Sequence, residues 1–457
     1  MIIKTAEPLD NTLIVKAVRK KLETNHRLQR LQDYYTGKQD ILLRTYDDPT
    51  KPNNKVVVNY CKNIADFLTA YLVGVPVKFD APQIILDNLN YNDNAEETQN
   101  IVLQMNIFGL GCELFYTDAD GIARFTGIDP RESIFILDDT IEENITAFIR
   151  VYPKENAFAD NYDSYNVIVY TDKDYTQYDL SLSVGELRVS GEAVPHYFND
   201  VPAIMYPNDN EFIGTFEGII PLQNALNKLV SDELNDFESF VDAYLVLRGL
   251  QATTTDDIAK MKRDRVLLLD ADSNAEWLIK NVNNEHTREL KENITAKIRE
   301  LGCVPDIENL GSFGASGVAL KFKLVGTEIK ANKQERIVMR GIQRKLELLY
   351  NILRLTDKNI GNYTDVKVNF ERNFIMLTED RLKEMQVDIQ LIDKGIMSRE
   401  RFLMKYSNMT PEEAQAELKK ALVEDYERGG GTLDTGIDFQ NDIRTPEEIL
   451  PALSLTR

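Results

Sequence analysis

The sequence has no run of about 18 apolar residues, so it predicts no membrane-spanning helix. It has only three cysteines, Cys61, Cys112 and Cys303, scattered with no metal-binding spacing. They read as reduced, mostly buried thiols in a reducing compartment. Its three histidines, His26, His196 and His286, are equally dispersed, which argues against a zinc site or a His-based triad. The opening "MIIKTAEPLDNTLIV" lacks the charged-then-apolar pattern of a signal peptide, so no secretory leader is expected. Positive charge is scarce as well: 53 Lys and Arg face 74 Asp and Glu, for a net charge of −21. A DNA reader is normally basic, because phosphate neutralisation dominates its affinity. This chain either has no dealings with nucleic acid or handles it without adhering.

Catalytic and nucleotide motifs are also missing. "ENLGSFGASGVALKFKL", residues 308–324, holds Gly311, Gly314 and Gly317. Their spacing is wrong for a Walker A loop, and no Lys-Ser/Thr pair follows. A helical pattern precedes them where a dinucleotide fingerprint needs a strand. No G-x-S-x-G elbow and no H-E-x-x-H pair occurs. No catalytic, cofactor-binding or metal-ligating residue is assigned, and no cofactor is expected.

What is present is a long chain with enough apolar residues for real cores. Its 457 residues, 43% of them apolar, suit two to four domains or one elongated multi-part subunit. Apolar spacing predicts helices over 11–35 and through "NYCKNIADFLTAYLVG", with a strand at "VPVKF" and another helix ending near "FGLG". Between 112 and 210, short β-like runs such as "CELFYT", "SIFILDD" and "YNVIVYT" alternate with turns such as "DADG". The aromatics there read as cross-strand packing more than as a binding face.

From 216 a stripe through Leu222, Leu226, Leu229/Val230, Leu234, Phe237, Val241 and Tyr244 predicts one long helix, ended by Gly249. Its polar face carries Glu217, Asp232, Glu233, Asp236, Glu238 and Asp242 against Lys228 and Arg248. "RVLLLD-ADSN-AEWLIK" reads as a hairpin around Asp272, Ser273 and Asn274, and a helix follows with Leu290, Ile294, Ile298 and Leu301 in step. A chain that leaves and returns in this way makes a stalk with a tip.

After the glycine segment a helical pattern runs to about 355. It carries Lys321, Lys323, Lys330, Lys333, Arg336, Arg340, Arg344 and Lys345 against Glu328, Glu335 and Glu347. Two readings stay open for this basic excess: contact with phosphate, or pairing with acidic helices of a neighbouring subunit. Glycine supplies conformational freedom and small size. Phe313 either reaches a neighbour or ligand, or caps the helix pair. "TDVKVNFER" reads as a strand. An acidic helical region follows from 378, with Thr410 and Pro411 opening its last helix, and then a flexible tail.

The order of these parts resembles the portal proteins of tailed bacteriophages, of the siphovirus type. The likeness runs from about 30 to 425. It rests on "YYTGKQDIL", "NNKVVVNYCKNIADFLTAYLVGVPVKF", "FNDVPAIMYPNDNEFIGTFEGIIPLQNALNKLVSDELNDFESFVDAYLVLRG" and "GASGVALKFKL" before a long helix. The resemblance implies an α+β portal fold: an α/β wing, a two-helix stem, a small α/β clip and a helical crown, assembled as a ring. It implies the wing at 1–215 and, with the long helix, 318–377. The stem helices would be 216–249 and 284–303, with the clip at 250–283. The tunnel loop would be 304–317, and the crown and tail 378–457.

It further implies a ring, usually of twelve subunits, at one capsid vertex, through which double-stranded DNA enters and leaves in transient, sequence-independent contact. The implied partners are the terminase large subunit, head-completion or adaptor proteins, and the major capsid and scaffolding proteins. No membrane is involved, and assembly would take place in the host cytoplasm. The implied loop at the channel comprises Asn309, Gly311, Ser312, Phe313, Gly314, Ala315, Ser316 and Gly317. Lys321, Lys323 and Lys330 are candidate contacts with DNA or a neighbouring subunit. Asp232, Glu233, Asp236, Glu238 and Asp242 form the acidic stem face. Arg263, Arg265 and Trp277 belong to the clip. The rival readings are a capsid or adaptor protein without a channel, and a hydrolase using an acidic cluster with a divalent metal.

Overall fold

The computed structural model describes residues 1–48, 51–154, 164–241, 244–248, 254, 256, 274–278, 284–306, 323–372, 378–407, 409 and 413–421. The chain divides into two units, Met1–Ile375 and Met376–Arg457. Among the described residues no helix is long and apolar enough to cross a membrane.

The first unit begins with strand β1 (Ile2–Lys4) and helix α1 (Asn11–Thr36). The Asp10 carboxylate accepts from the Leu13 amide at 2.7 Å and caps α1. Helix α2 (Tyr60–Val73) is capped in the same way by Asn59. Strand β2 (Lys78–Asp80) and helices α3 (Gln83–Tyr91) and α4 (Asn94–Phe108) follow. Gly109 ends α4 with φ of +79°, and a Cβ there would lie 2.1 Å from the Phe212 carbonyl oxygen. Only glycine lets the chain turn this tightly from helix into strand.

Among the described residues of 110–207, nine strands follow, as the alternating short runs predict. They are β3 (Leu110–Thr117), β4 (Ala123–Gly127), β5 (Ser133–Leu137), β6 (Ile145–Pro153), β7 (Ser164–Tyr170), β8 (Asp174–Ser181), β9 (Glu186–Val189), β10 (Val194–Pro195) and β11 (Ala203–Pro207). One sheet runs β1-β5-β6-β7-β8-β10 with β9 also on β8, and the other runs β11-β3-β4. All pairs are antiparallel except β1 with β5. The aromatics pack within the sheets, Phe135 on Phe148 at 4.9 Å and Phe115 on Phe125 at 5.3 Å.

Helix α5 (Ile220–Val241), strands β12 (Tyr244–Arg248) and β13 (Asn274–Leu278), and helix α6 (Asn284–Gly302) come next. The single long helix expected through Tyr244 to Gly249 is therefore corrected. It stops at Val241, because "YLVLR" is rich in strand-forming residues and pairs antiparallel with β13. Arg248 is accordingly not on the helix. Strand β13, the second arm of the expected hairpin, pairs with β12, and the first arm, residues 265–270, lies outside the described residues.

The unit ends with helix α7 (Val325–Leu353) and strand β14 (Lys367–Asn369), which pairs with β2. The second unit contains α8 (Thr378–Asp393) and α9 (Arg399–Ser407). The Asp388 carboxylate ties them, accepting from Lys405 Nζ at 2.6 Å and the Tyr406 hydroxyl at 2.7 Å.

Candidate functional site

Helix α5 carries two stripes at four-residue spacing. Leu222, Leu226 and Val230 join the apolar cluster that also holds Ile294 and Ile298 of α6. Farther out, Lys291 of α6 pairs with Glu233 at 3.1 Å. Residue numbers rise along α6 as they fall along α5, so the two helices are antiparallel. They bracket residues 242–283, as the stalk reading requires.

The second stripe is polar. Gln223, Asn227, Ser231 and Asn235 face residues 54–60, the approach to α2 and its first residue. The amide of Asn54 donates to Asn235 Oδ1 at 2.7 Å, and that of Val56 to Ser231 Oγ at 2.9 Å. The amide of Val58 donates to Asn227 Oδ1 at 2.9 Å, and that of Tyr60 to Gln223 Oε1 at 3.2 Å. Geometry makes this ladder possible. Two extended residues span roughly 6.7 Å and return the amide to the same side. Four helical residues rise about 6.0 Å and return the side chain to nearly the same face. Every second amide thus meets every fourth side chain.

The inner rungs are sealed, since Gln223, Asn227 and Ser231 are fully buried. Gln223 Nε2 donates to the Val58 carbonyl and to Asn227 Oδ1, and Asn227 Nδ2 donates to Gln39 Oε1. Gln39 Nε2 in turn reaches Asn59 Oδ1 at 3.0 Å and the Tyr34 carbonyl at 3.2 Å. At the outer end Arg44 binds Asp232 at 2.6 Å and the Asn54 carbonyl at 2.6 Å. Residues 54–60 therefore hold α5 through backbone polar groups, which would each cost about 1–3 kcal/mol if buried without partners. A cleft of about 330 Å³ lies beside the inner rung, lined by Val58, Tyr60, Phe67, Arg299, Val304 and Pro305 among others.

Helix α7 is locked from below. Lys345 and Glu113 form an ion pair at 2.7 Å with both side chains essentially out of solvent. Lys345 Nζ also reaches Asn94 Oδ1 at 2.9 Å and lies 4.2 Å from the Phe125 ring centre. The Tyr206 hydroxyl donates to the other Glu113 oxygen at 2.7 Å. Burial first, and then the Glu113 carboxylate, hold the Tyr206 proton far above its ordinary range. The Tyr206 ring lies on Gly341, where a Cβ would come within 1.9 Å of ring carbon Cε1. The Thr327 hydroxyl donates to the Cys303 carbonyl at 2.6 Å, which pins the start of α7 to the end of α6.

The expected site residues fare unequally. Asp232, Glu233 and Glu238 are on α5, but they are bonded within the chain to Arg44, Lys291 and Asn54. The acidic face is therefore partly neutralised instead of simply solvated. Asp236 is on the same helix, and Asp242 lies outside the described residues. Lys323 is exposed just before α7. Lys330 is half-buried; burial lowers its pKa against the pull of Cys303 and Asp209, and Lys333 lowers it further. Of the other basic residues, Arg344 is held by Asp200 and Glu347 at 2.7 Å each, and Lys345 by Glu113. For those two, both open readings are corrected: their partners are inside the subunit. Trp277 lies in β13. Asn309, Gly311, Ser312, Phe313, Gly314, Ala315, Ser316, Gly317, Lys321, Arg263 and Arg265 lie outside the described residues.

Residues 17–428 match the family model described as phage portal protein, SPP1 Gp6-like. The chain belongs to this portal-protein family. The portal protein of Bacillus phage SPP1 is 23% identical over 456 residues, covering 95% of this chain and 88% of that one. The crystal structure of a HK97 family phage portal protein from Corynebacterium diphtheriae is similar over 68% of this chain and 91% of that one. Its identity is 12% and its TM-score 0.34. A chain from the neck of an empty GTA particle is similar over 76% of this chain and 88% of that one, at 11% identity and a TM-score of 0.41. The portal family is a structural one. The ladder and the α6–α7 pin are joints that fix the helices of this portal subunit.

Proposed function

We propose that this portal subunit builds a ring, of about twelve copies by analogy with its family, around a channel at one capsid vertex. Double-stranded DNA enters through that channel during packaging and leaves through it at ejection. The match over residues 17–428 carries this reading. In it, 1–215 with 318–377 is the wing, and α5 and α6 are the stem. Residues 250–283 form the clip, where the terminase large subunit and the head-completion proteins dock. Residues 304–317 form the loop at the channel, and 378–457 the crown and tail.

The charge distribution supports the assignment. A net −21 keeps DNA from adhering to the wall by like-charge repulsion. Sequence-independent contact needs no base-reading side chains. The Thr327–Cys303 hydrogen bond fixes the base from which the loop departs. Lys321 and Lys323 follow the loop in sequence and would meet DNA or the next subunit.

The test is a loop shortened across 311–317. Rings should still assemble, while DNA packaging or retention fails. If the shortened protein forms no rings, the segment is a structural element and the channel assignment is wrong.

A further inference from the structure

The exposed side of α7 carries cations that no other described residue pairs with. Lys333, Arg336 and Arg340 are exposed, and none makes a hydrogen bond or ion pair with a described residue. Their neighbours Arg344 and Lys345 are already consumed by Asp200, Glu347 and Glu113. Two apolar side chains continue the line: Ile329, 67% exposed, and Val325, 47% exposed. At about 100° per residue, positions 325, 329, 333, 336 and 340 fall within an arc of roughly 80°, over about 22 Å of helix. The stripe is basic at one end and apolar at the other.

We propose that this stripe docks against an acidic and apolar face of a second copy of this chain. The inference rests on the ring reading above. Copies that each carry −21 repel one another, so a ring needs local attraction where neighbours meet. Three cations without a partner among the described residues supply it on one rigid helix, and the other copy has an excess of carboxylates to receive them. The apolar end decides between a protein and a polyphosphate occupant. Ile329 and Val325 would stay wet against a phosphate backbone, whereas a protein face would bury them. Exposed ion pairs alone contribute little, so the cations act chiefly in register and encounter, and apolar burial adds the affinity.

The test is a charge-reversed variant, Lys333→Glu with Arg336→Glu and Arg340→Glu, beside the conservative Lys333→Arg with Arg336→Lys and Arg340→Lys. All three positions are solvent-facing, so both variants should melt like the wild type. Sedimentation velocity and electron microscopy then read assembly. The wild type and the conservative variant should form rings, and the reversed variant should remain as subunits or small species. Ile329→Asp should shift assembly in the same direction. If the triple reversal unfolds, Arg336→Glu alone decides, with at least a several-fold loss of rings expected. Reversed protein that forms rings as well as the wild type overturns the proposal; if it then also loses DNA packaging, the occupant is nucleic acid. If the wild type forms no rings, the ring reading falls, and this proposal with it.

Discussion

The backbone amide of Val58 donates to the side-chain oxygen of Asn227 at 2.9 Å, in a site where Asn227 has no solvent exposure. That bond is one rung of a ladder joining an extended segment to a helix. Water cannot replace it. Asn227→Leu would leave the Val58 amide, Gln39 Oε1 and Gln223 Nε2 short of partners. The expected cost is at least about 3 kcal/mol, from roughly 1–3 kcal/mol for each of the three groups. Ser231→Ala removes one acceptor and should cost about 1 kcal/mol by the same reasoning. Urea denaturation of the two variants checks the order. Equal, near-zero effects would mean that the apolar stripe alone holds α5.

Gly341 should not tolerate alanine. In an open helix position the change would stabilise by about 1 kcal/mol. Here the new methyl would enter the Tyr206 ring, at 1.9 Å from Cε1. That ring cannot retreat, because its hydroxyl is bonded to Glu113 at 2.7 Å. Overpacking should win, with a net loss of about 2 kcal/mol or more. Thermal melting of Gly341→Ala gives the sign. Tyr206→Leu in the same chain should relieve part of the clash.

Lys345 and Glu113 should behave as a pair. Lys345→Met leaves a buried carboxylate without its cation and should cost about 3–5 kcal/mol. Adding Glu113→Leu removes the orphaned charge and should restore part of that loss, although the Tyr206 hydroxyl then lacks its acceptor. A double-mutant cycle by denaturation measures the coupling. Additive losses would contradict the pairing.

His196 should make stability fall in mild acid. Its Nε2 donates to the Thr171 carbonyl at 2.9 Å, while Nδ1 accepts from the Phe198 amide at 3.3 Å. A second proton on Nδ1 would point at that amide. Burial lowers the His196 pKa despite the opposing hydrogen bond to Thr171 and the carboxylates of Asp174 and Asp172. The unfolded chain takes up the proton near pH 6.5 and the folded chain only lower. Below about 6.5 the unfolded state therefore binds more protons, and stability drops by up to about 1.4 kcal/mol per pH unit until the folded pKa is reached. The urea midpoint should fall more between pH 7 and pH 5.5 in the wild type than in His196→Gln. Identical falls would remove His196 as the cause.

Much of the fold was legible because periodicity reports burial directly. The helix expected over 11–35 is Asn11–Thr36, and the β region of 112–210 holds the expected short antiparallel strands. The two helices around residues 242–283 followed from the Leu222–Leu226 and Ile294–Ile298 spacings. Polar pairings were harder to read. Residues 54–60 gave no sign of their role, since their partners lie more than 160 positions away. The signal was on the helix, where Gln223, Asn227, Ser231 and Asn235 recur every fourth residue beside an apolar stripe. Lys345 left no such trace. In sequence it looks like any lysine of a basic run, and only the approach of β3 with Glu113 makes it part of the interior. The end of α5 was misjudged because Tyr244 continues the helical spacing, while pairing with β13 decides its conformation.

The central claim is that copies of this chain close into a ring around a channel. Electron microscopy of the purified full-length protein tests it most directly. The account predicts rings of about twelve-fold symmetry, by family analogy, with a stain-filled central opening. Compact monomers, or assemblies without a central hole, would contradict it.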